Sequence, residues 1–313
     1  MFIPAHIATV SVIGAGTLGI QIAAMTAASD RTVLLYDLMD GAADRAHSRL
    51  QALLRPVIDA GKLDWDLDSV LQRIRVVATL AESVRAADLV IEAVREDPDT
   101  KRSVFAEIGA INPNVLLATN SSSIPSSALA DAVADPGKFA NLHFFSSFWD
   151  RSMVELMSCG LTTRETMVSL EAFGNSLGLF TAVVNGDSKG FIINRIWRAV
   201  KRESLRVVDE GVADAETVDR LWALFWGSRL GPFGLMDEVG LNVVADIETS
   251  YISTSPDPTD VPNPTLHRLV DAGELGQKAG QGFYRYPHPS YEAPGWPRSI
   301  TNEPPLAEED GTH

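Results

Sequence analysis

The 313-residue chain is long enough for one large domain or two ordinary ones, and its single cysteine, Cys159, excludes an internal disulfide and a cysteine-based zinc site. A formal net charge of −15 argues against a nucleic-acid partner or an anionic membrane surface, since both call for a surplus of Lys and Arg. It leaves room for an anionic cofactor, because backbone amides at a helix start bind phosphate without side-chain charge.

In chain order, 7–13 (IATVSVI) reads as a buried strand and 17–29 as a helix. Residues 32–36 read as a second strand, and 39–60 as a long helix that Pro56 should kink or break. Short strands are predicted over 75–78, 88–93 and 115–119, with a helix over 100–110 between the last two. Further strands are expected over 139–144, 153–157 and 180–184. Strands alternating with helices predict a mainly parallel sheet covered on both faces. After Asn185-Gly186-Asp187-Ser188 the strand signals stop. Helices are predicted over 191–209, 215–224, 234–250 and 264–272, the first ended by Gly211. The expected organisation is an α/β, Rossmann-type dinucleotide-binding domain over 1–187 and an all-helical domain over 188–286. A Pro-rich acidic tail over 287–313 is expected to be extended or disordered. The N-terminus shows neither a basic leader nor a long apolar run, so a cytoplasmic protein with no membrane span is expected.

Gly14-Ala15-Gly16-Thr17-Leu18-Gly19 fits G-x-G-x-x-G between a predicted strand and a predicted helix, the context a pyrophosphate loop needs. The first glycine makes the turn, the second admits the phosphates and the third lets helix and strand pack closely. Asp37 ends the second strand, where a carboxylate accepts from ribose hydroxyls and repels a 2′-phosphate, so NAD is expected over NADP. His143 lies at the end of a predicted strand, where α/β sheets place their ligands, and imidazole titrates near neutral pH, although a lone histidine is more often structural. The remaining histidines, His6, His47, His267, His288 and His313, have no motif around them. Trp222 and Trp226, at helical spacing, read as packing residues.

With these segments in hand, the sequence resembles the short-chain form of the L-3-hydroxyacyl-CoA dehydrogenase family over about 7–286. The resemblance is carried in order by the glycine loop, Ile91-Glu92-Ala93-Val94-Arg95-Glu96, Thr119-Asn120-Ser121-Ser122-Ser123 and His143-Phe144-Phe145. Gly190-Phe191-Ile192-Ile193-Asn194-Arg195, Gly231-Pro232-Phe233-Gly234-Leu235 and the run from Gly276 to Tyr284 follow. The resemblance implies NAD-dependent hydride transfer at the 3-position of a hydroxyacyl thioester. It implies His143 as base, Glu155 as the carboxylate that orients it, and Ser122 and Asn194 as hydrogen-bonding groups for the substrate oxygen and the nicotinamide. It also implies cofactor contacts from Glu96, Lys101, Ser122 and Ser146, and one from Lys278 in the second domain. Several helices of the helical domain are apolar, so a homodimer formed through that domain is expected.

Two places depart from the family pattern. Ser146-Ser147 stand where the family has Asn-Pro, and Phe148, Trp149, Asp150 and Arg151 follow. These are expected to bring two aromatics and a cation to the substrate, with Arg151 suited to a carboxylate or paired with Asp150. The positions that approach coenzyme A hold Leu53 and Ala60, with Lys62 as a substitute. A carrier-protein thioester, a free hydroxy acid or a specialised biosynthetic intermediate therefore stays open as substrate beside a coenzyme A ester. A non-catalytic NAD-binding protein is the remaining alternative, and the His143/Glu155 pair argues against it.

Overall fold

The computed structural model describes residues 5–39, 41 and 45–299, and it divides into two units, Met1–Arg195 and Ile196–His313. In the first unit, β1 (Thr9–Ile13), α1 (Thr17–Ala28), β2 (Thr32–Tyr36), α2 (Ala46–Asp59), α3 (Leu67–Gln72) and β3 (Ile74–Val76) come first. Next are α4 (Leu80–Arg85), β4 (Leu89–Glu92), α5 (Pro98–Ile111), β5 (Leu116–Thr119) and β6 (Phe139–Phe144). β7 (Met153–Ser158), α6 (Arg164–Ser176) and β8 (Phe180–Val184) close the sheet.

The eight strands lie in the order β3-β2-β1-β4-β5-β6-β7-β8. β1 to β6 run parallel, and β7 and β8 run together in the opposite direction. Strand order reverses between β1 and β4, and ligands of doubly wound sheets gather at the carboxyl ends beside such a reversal. Successive residues feed opposite faces: Leu89 and Ile91 join one apolar cluster, and Val90 joins the other. Both faces are therefore covered, as near-continuous apolar strands require.

Several elements differ from the expectation. The helix predicted over 39–60 is α2 alone, starting at Ala46, and Pro56 sits inside it without ending it. Ala52 and Pro56 are both on the exposed side, where a missing backbone bond is least costly. The short helices α3 and α4 escaped the periodicity argument because each is six residues long. Their starts are nevertheless marked, since Asp66 and Thr79 cap them through Asp68 N and Glu82 N. α6 was likewise not expected, and Thr163 caps it through Thr166 N.

α7 (Ile193–Asp209) runs through the Arg195/Ile196 division between the two units. The second unit adds α8 (Ala215–Trp226), α9 (Pro232–Val239), α10 (Leu241–Ile252) and α11 (Pro264–Asp271). The single helix predicted over 234–250 is two, because Gly240 at φ 98° leaves the helical region between α9 and α10. The expected extended tail is corrected over 287–299. Ser290–Glu292 forms a 3-10 turn, and Tyr291 is buried in the core of the second unit with Phe233, Met236 and Leu266. Residues 300–313 of that tail lie outside the described residues. Among the described residues, no helix is long and apolar enough to cross a membrane, and no cluster of metal-ligating side chains is found.

Two buried carboxylates organise the second unit. Asp219 accepts from Phe233 N, Gly234 N and the Tyr284 hydroxyl at 2.8–2.9 Å. Asp237 accepts from Phe283 N, Tyr284 N and the Tyr286 hydroxyl at 2.9–3.0 Å. Burial, reinforced by the charge of Asp237, pushes the Asp219 carboxyl from 3.8 up to about 6, against the pull of its donors. Between those values the folded state binds more protons than the unfolded one, so this group's contribution to stability falls as pH rises. Asp219→Asn imitates the protonated carboxyl. It is expected to gain stability relative to the parent as pH rises from about 4 to about 6, read as urea midpoints across that range. A constant difference between parent and variant would contradict this.

Candidate active site

The glycine loop is shaped by close approach. Gly14, at φ 110°, donates to Tyr36 O at 2.7 Å, and a Cβ there would meet Ala93 O at 2.5 Å. A Cβ on Gly19 would come within 1.9 Å of Gly14 O, so that position is closed to any side chain. Gly16 is the opposite case, because a Cβ there meets nothing within 4 Å. Gly16 caps α1 with no side chain serving its first amides, and Thr17 and Leu18 open that helix. An open approach to unserved helix-start amides fits a dinucleotide pyrophosphate. Asp37 is held beside this loop, accepting from Ala15 N at 2.6 Å and Met39 N at 2.8 Å. Its two oxygens keep lone pairs for ribose hydroxyls. Arg49 of α2 donates to Ala15 O at 2.6 Å from the other side.

His143 and Glu155 are directly paired across the antiparallel β6–β7 ladder. The reversal of strand direction brings residues twelve apart into contact, with His143 Nδ1 3.0 Å from Glu155 Oε2. The other carboxylate oxygen of Glu155 accepts from Ile192 N and Ile193 N, both at 2.9 Å. Burial alone would raise the Glu155 carboxyl, but the imidazole and the two amides outweigh it and hold it below the usual range. Phe145 and Phe191 flank the imidazole, with ring centroids at 4.5 and 5.0 Å.

Ser122 lies on the loop after β5, and Glu96 anchors that loop. Glu96 Oε1 accepts from Ser122 N at 3.0 Å, Ser123 N at 2.8 Å and the hydroxyls of Ser121 and Ser123 at 2.6 and 2.8 Å. Burial opposes the charge on Glu96, but Lys101 and these donors hold its carboxyl low. Asn194 reaches the same loop, its Nδ2 3.4 Å from Ser122 O. Lys101 differs from the expected cofactor ligand. Its side chain is 1% exposed, and its ammonium lies 2.7 Å from Glu92 and 3.3 Å from Glu96. It thus holds the serine loop from behind, through Glu96. Glu92, also contacted by Thr119 Oγ1 and Val94 N, went unassigned in the sequence reading. A carboxylate inside the otherwise apolar run LVIE was the available signal, since a buried charge must be paired.

The loop after β6 corrects the expectation for the substrate side. Phe148 is buried and stacks on Trp65 at 5.2 Å, so it belongs to the core. Asp150 pairs with Lys62 at 2.6 Å and not with Arg151, which removes Lys62 as an uncommitted substitute cation. Arg151 donates to Ser146 O at 3.3 Å. Ser146 is exposed. Ser147 adopts φ 56°, and its N–H donates to Gln21 Oε1 at 2.9 Å. Proline permits neither that φ nor that donation, so the loop takes a path that Asn-Pro could not. Of the coenzyme A positions, Leu53 packs against the sheet core and Ala60 is exposed. Lys278 belongs to the second unit, on the turn Gln277–Ala279, and its ammonium donates to Asn242 Oδ1.

Known proteins match this chain in sequence and fold along most of its length. Residues 9–188 match the model of the 3-hydroxyacyl-CoA dehydrogenase NAD-binding domain, and residues 190–286 match that of its C-terminal domain. A probable 3-hydroxybutyryl-CoA dehydrogenase of Deinococcus radiodurans is 34% identical, the match covering 88% of this chain and 99% of that one. The crystal structure of (S)-3-hydroxybutyryl-CoA dehydrogenase from Ralstonia eutropha superposes with a TM-score of 0.83 at 32% identity, covering 90% of this chain and all of that one. A diketoreductase described as acting on dicarbonyl compounds superposes with a TM-score of 0.80, also at 32% identity, with the same coverage.

Lys101→Met leaves Glu92 and Glu96 without their cation and is expected to cost about 3–5 kcal/mol of stability. The check is a urea titration beside NAD binding, both of which should weaken. A variant of parental stability would show that the serine loop is held by other contacts.

Proposed function

The chain belongs to the 3-hydroxyacyl-CoA dehydrogenase family, and we propose that it interconverts a 3-hydroxyacyl thioester and its 3-keto counterpart by the acid–base work of His143. The observation that carries this reading is the His143–Glu155 pair at the carboxyl end of β6, with the Ser122 loop following the adjacent strand β5 and the glycine loop following β1 of the same sheet. When bound, NAD supplies the acceptor for the hydride leaving C3. Glu155 accepts from Nδ1, which leaves Nε2 of His143 as the nitrogen that takes the hydroxyl proton. The carboxylate, held ionised, stabilises the resulting imidazolium. The C–H and O–H bonds break as the C=O bond forms, and the reverse reaction returns the proton from His143. Ser122 and Asn194 hydrogen-bond the substrate oxygen and the nicotinamide. Glu96 holds the Ser122 loop, and Asp37 selects NAD over NADP.

A free hydroxy acid or specialised intermediate is the second reading. Its support is the path of the Ser147 loop, the commitment of Lys62 to Asp150 and the resemblance to a diketoreductase. In either case the ligand is a small molecule, with no nucleic-acid partner. We further propose a cytoplasmic homodimer formed through the helical unit. α8 supports this, since it exposes Leu221, Leu224, Phe225 and Trp226, the last at 64% even though it also contacts Trp222.

Three measurements test the proposal. NAD is expected to bind more tightly than NADP, and equal affinity would remove the role given to Asp37. His143→Gln should keep NAD affinity and lose turnover by roughly 10²–10⁴-fold. A kcat/KM of about 10⁵ M⁻¹s⁻¹ or more for 3-hydroxybutyryl-CoA, within the ordinary enzyme range, selects the thioester reading. Efficient turnover of the free acid with a poor thioester rate selects the second.

A further inference from the structure

The segment before α7 holds a conformation its sequence does not favour. Phe191 has φ 53°, in the left-handed region that bulky residues rarely enter, directly after Gly190 at φ 78°. Its ring is 2% exposed and packs with Met157 and Val184. The same ring stacks on His143 at 5.0 Å and 21° between planes. The turn is closed by Phe191 N to Ser188 O and Ser188 Oγ to Phe191 O, both at 3.0 Å. The next two amides, of Ile192 and Ile193, are the ones that reach Glu155. A residue in the ordinary helical or extended region at 191 would send those amides elsewhere. Burial of the phenyl ring offsets the local backbone cost, so one side chain secures both members of the pair.

We propose that Phe191 is a positioning residue for the acid–base pair: its ring sets the plane of the His143 imidazole, and its left-handed backbone turns two amides onto Glu155. This rests on the reading of His143 as the base. The ring and the turn separate by substitution. Phe191→Gly removes the ring and keeps the backbone conformation accessible. Phe191→Val keeps apolar bulk but is β-branched and opposes a positive φ.

The expected results differ accordingly. Phe191→Gly lowers kcat about 10-fold, with NAD affinity unchanged and the acidic limb of kcat/KM in place. Phe191→Val lowers kcat about 100-fold and moves that limb up by about half to one pH unit. The direction follows because Glu155, relieved of two donors, draws the imidazole proton more strongly. If the Val variant does not fold, the Gly variant still decides the role of the ring. Parental kcat in the Gly variant, or an unmoved limb in a folded Val variant, overturns the proposal. His143→Gln separates the two levels. If it is inactive while the Phe191 variants work normally, only this inference fails; if it remains active, the acid–base reading itself fails.

Discussion

The Glu155 side chain is 4% exposed, and its two oxygens meet an imidazole nitrogen and two backbone amides. A carboxylate with so little water keeps its charge only where donors replace hydration, and these three do so. Much of the first unit's local architecture follows from that requirement. β7 runs against β6, and the register of that ladder sets Glu155 opposite His143. The segment before α7 must turn left-handed to aim its amides. A parallel β6–β7 pair would need a long crossover connection, whereas the short loop between them also carries Ser146 to Arg151.

The same device recurs elsewhere in the molecule. Glu92, 0% exposed, takes Lys101, Thr119 and Val94 N, and through Lys101 it supports the carboxylate that gathers the serine loop. In the second unit, Asp219 and Asp237 hold the start of α9 and the run from Phe283 to Tyr286. In each case a buried carboxylate accepts from backbone amides that lie in a loop or in the first turn of a helix, where no ladder partner serves them. Such amides would otherwise be unpaired donors, and removing the acceptor would strand them. Loops tied this way have defined shapes without large apolar surface. That matters at a site whose groups must be placed to a fraction of an ångström.

The glycine loop, the alternation of elements and Asp37 were legible because each depends on local rules: turn geometry, hydrophobic period and position after a strand. As a proposed acid–base pair, His143 and Glu155 were legible only through the order of family segments, since nothing local sets one histidine of the chain apart from the others. Lys101 was legible as a residue of interest but not in its role, because sequence spacing does not report whether an ammonium faces a ligand or two buried carboxylates. Phe148 and Arg151 read as substrate-facing from their place in the chain. Stacking on Trp65 and a hydrogen bond to Ser146 O were invisible there. Phe191 lies in a family segment, yet its positive φ and its stacking on the distant His143 imidazole have no linear signature.

By itself, then, the sequence determined the α/β class, the helical second part, the dinucleotide loop and the chemical repertoire of the site. Those properties follow from periodicity, glycine placement and side-chain type, which are local or additive along the chain. The tertiary structure alone decided which carboxylate meets which donor, that Lys62 is committed to Asp150, that Ser147 takes a path closed to proline, and that residues up to 299 pack into the second unit. Each of these depends on contacts between segments distant in sequence, and the cost of leaving a buried charge or amide unpaired selects among them.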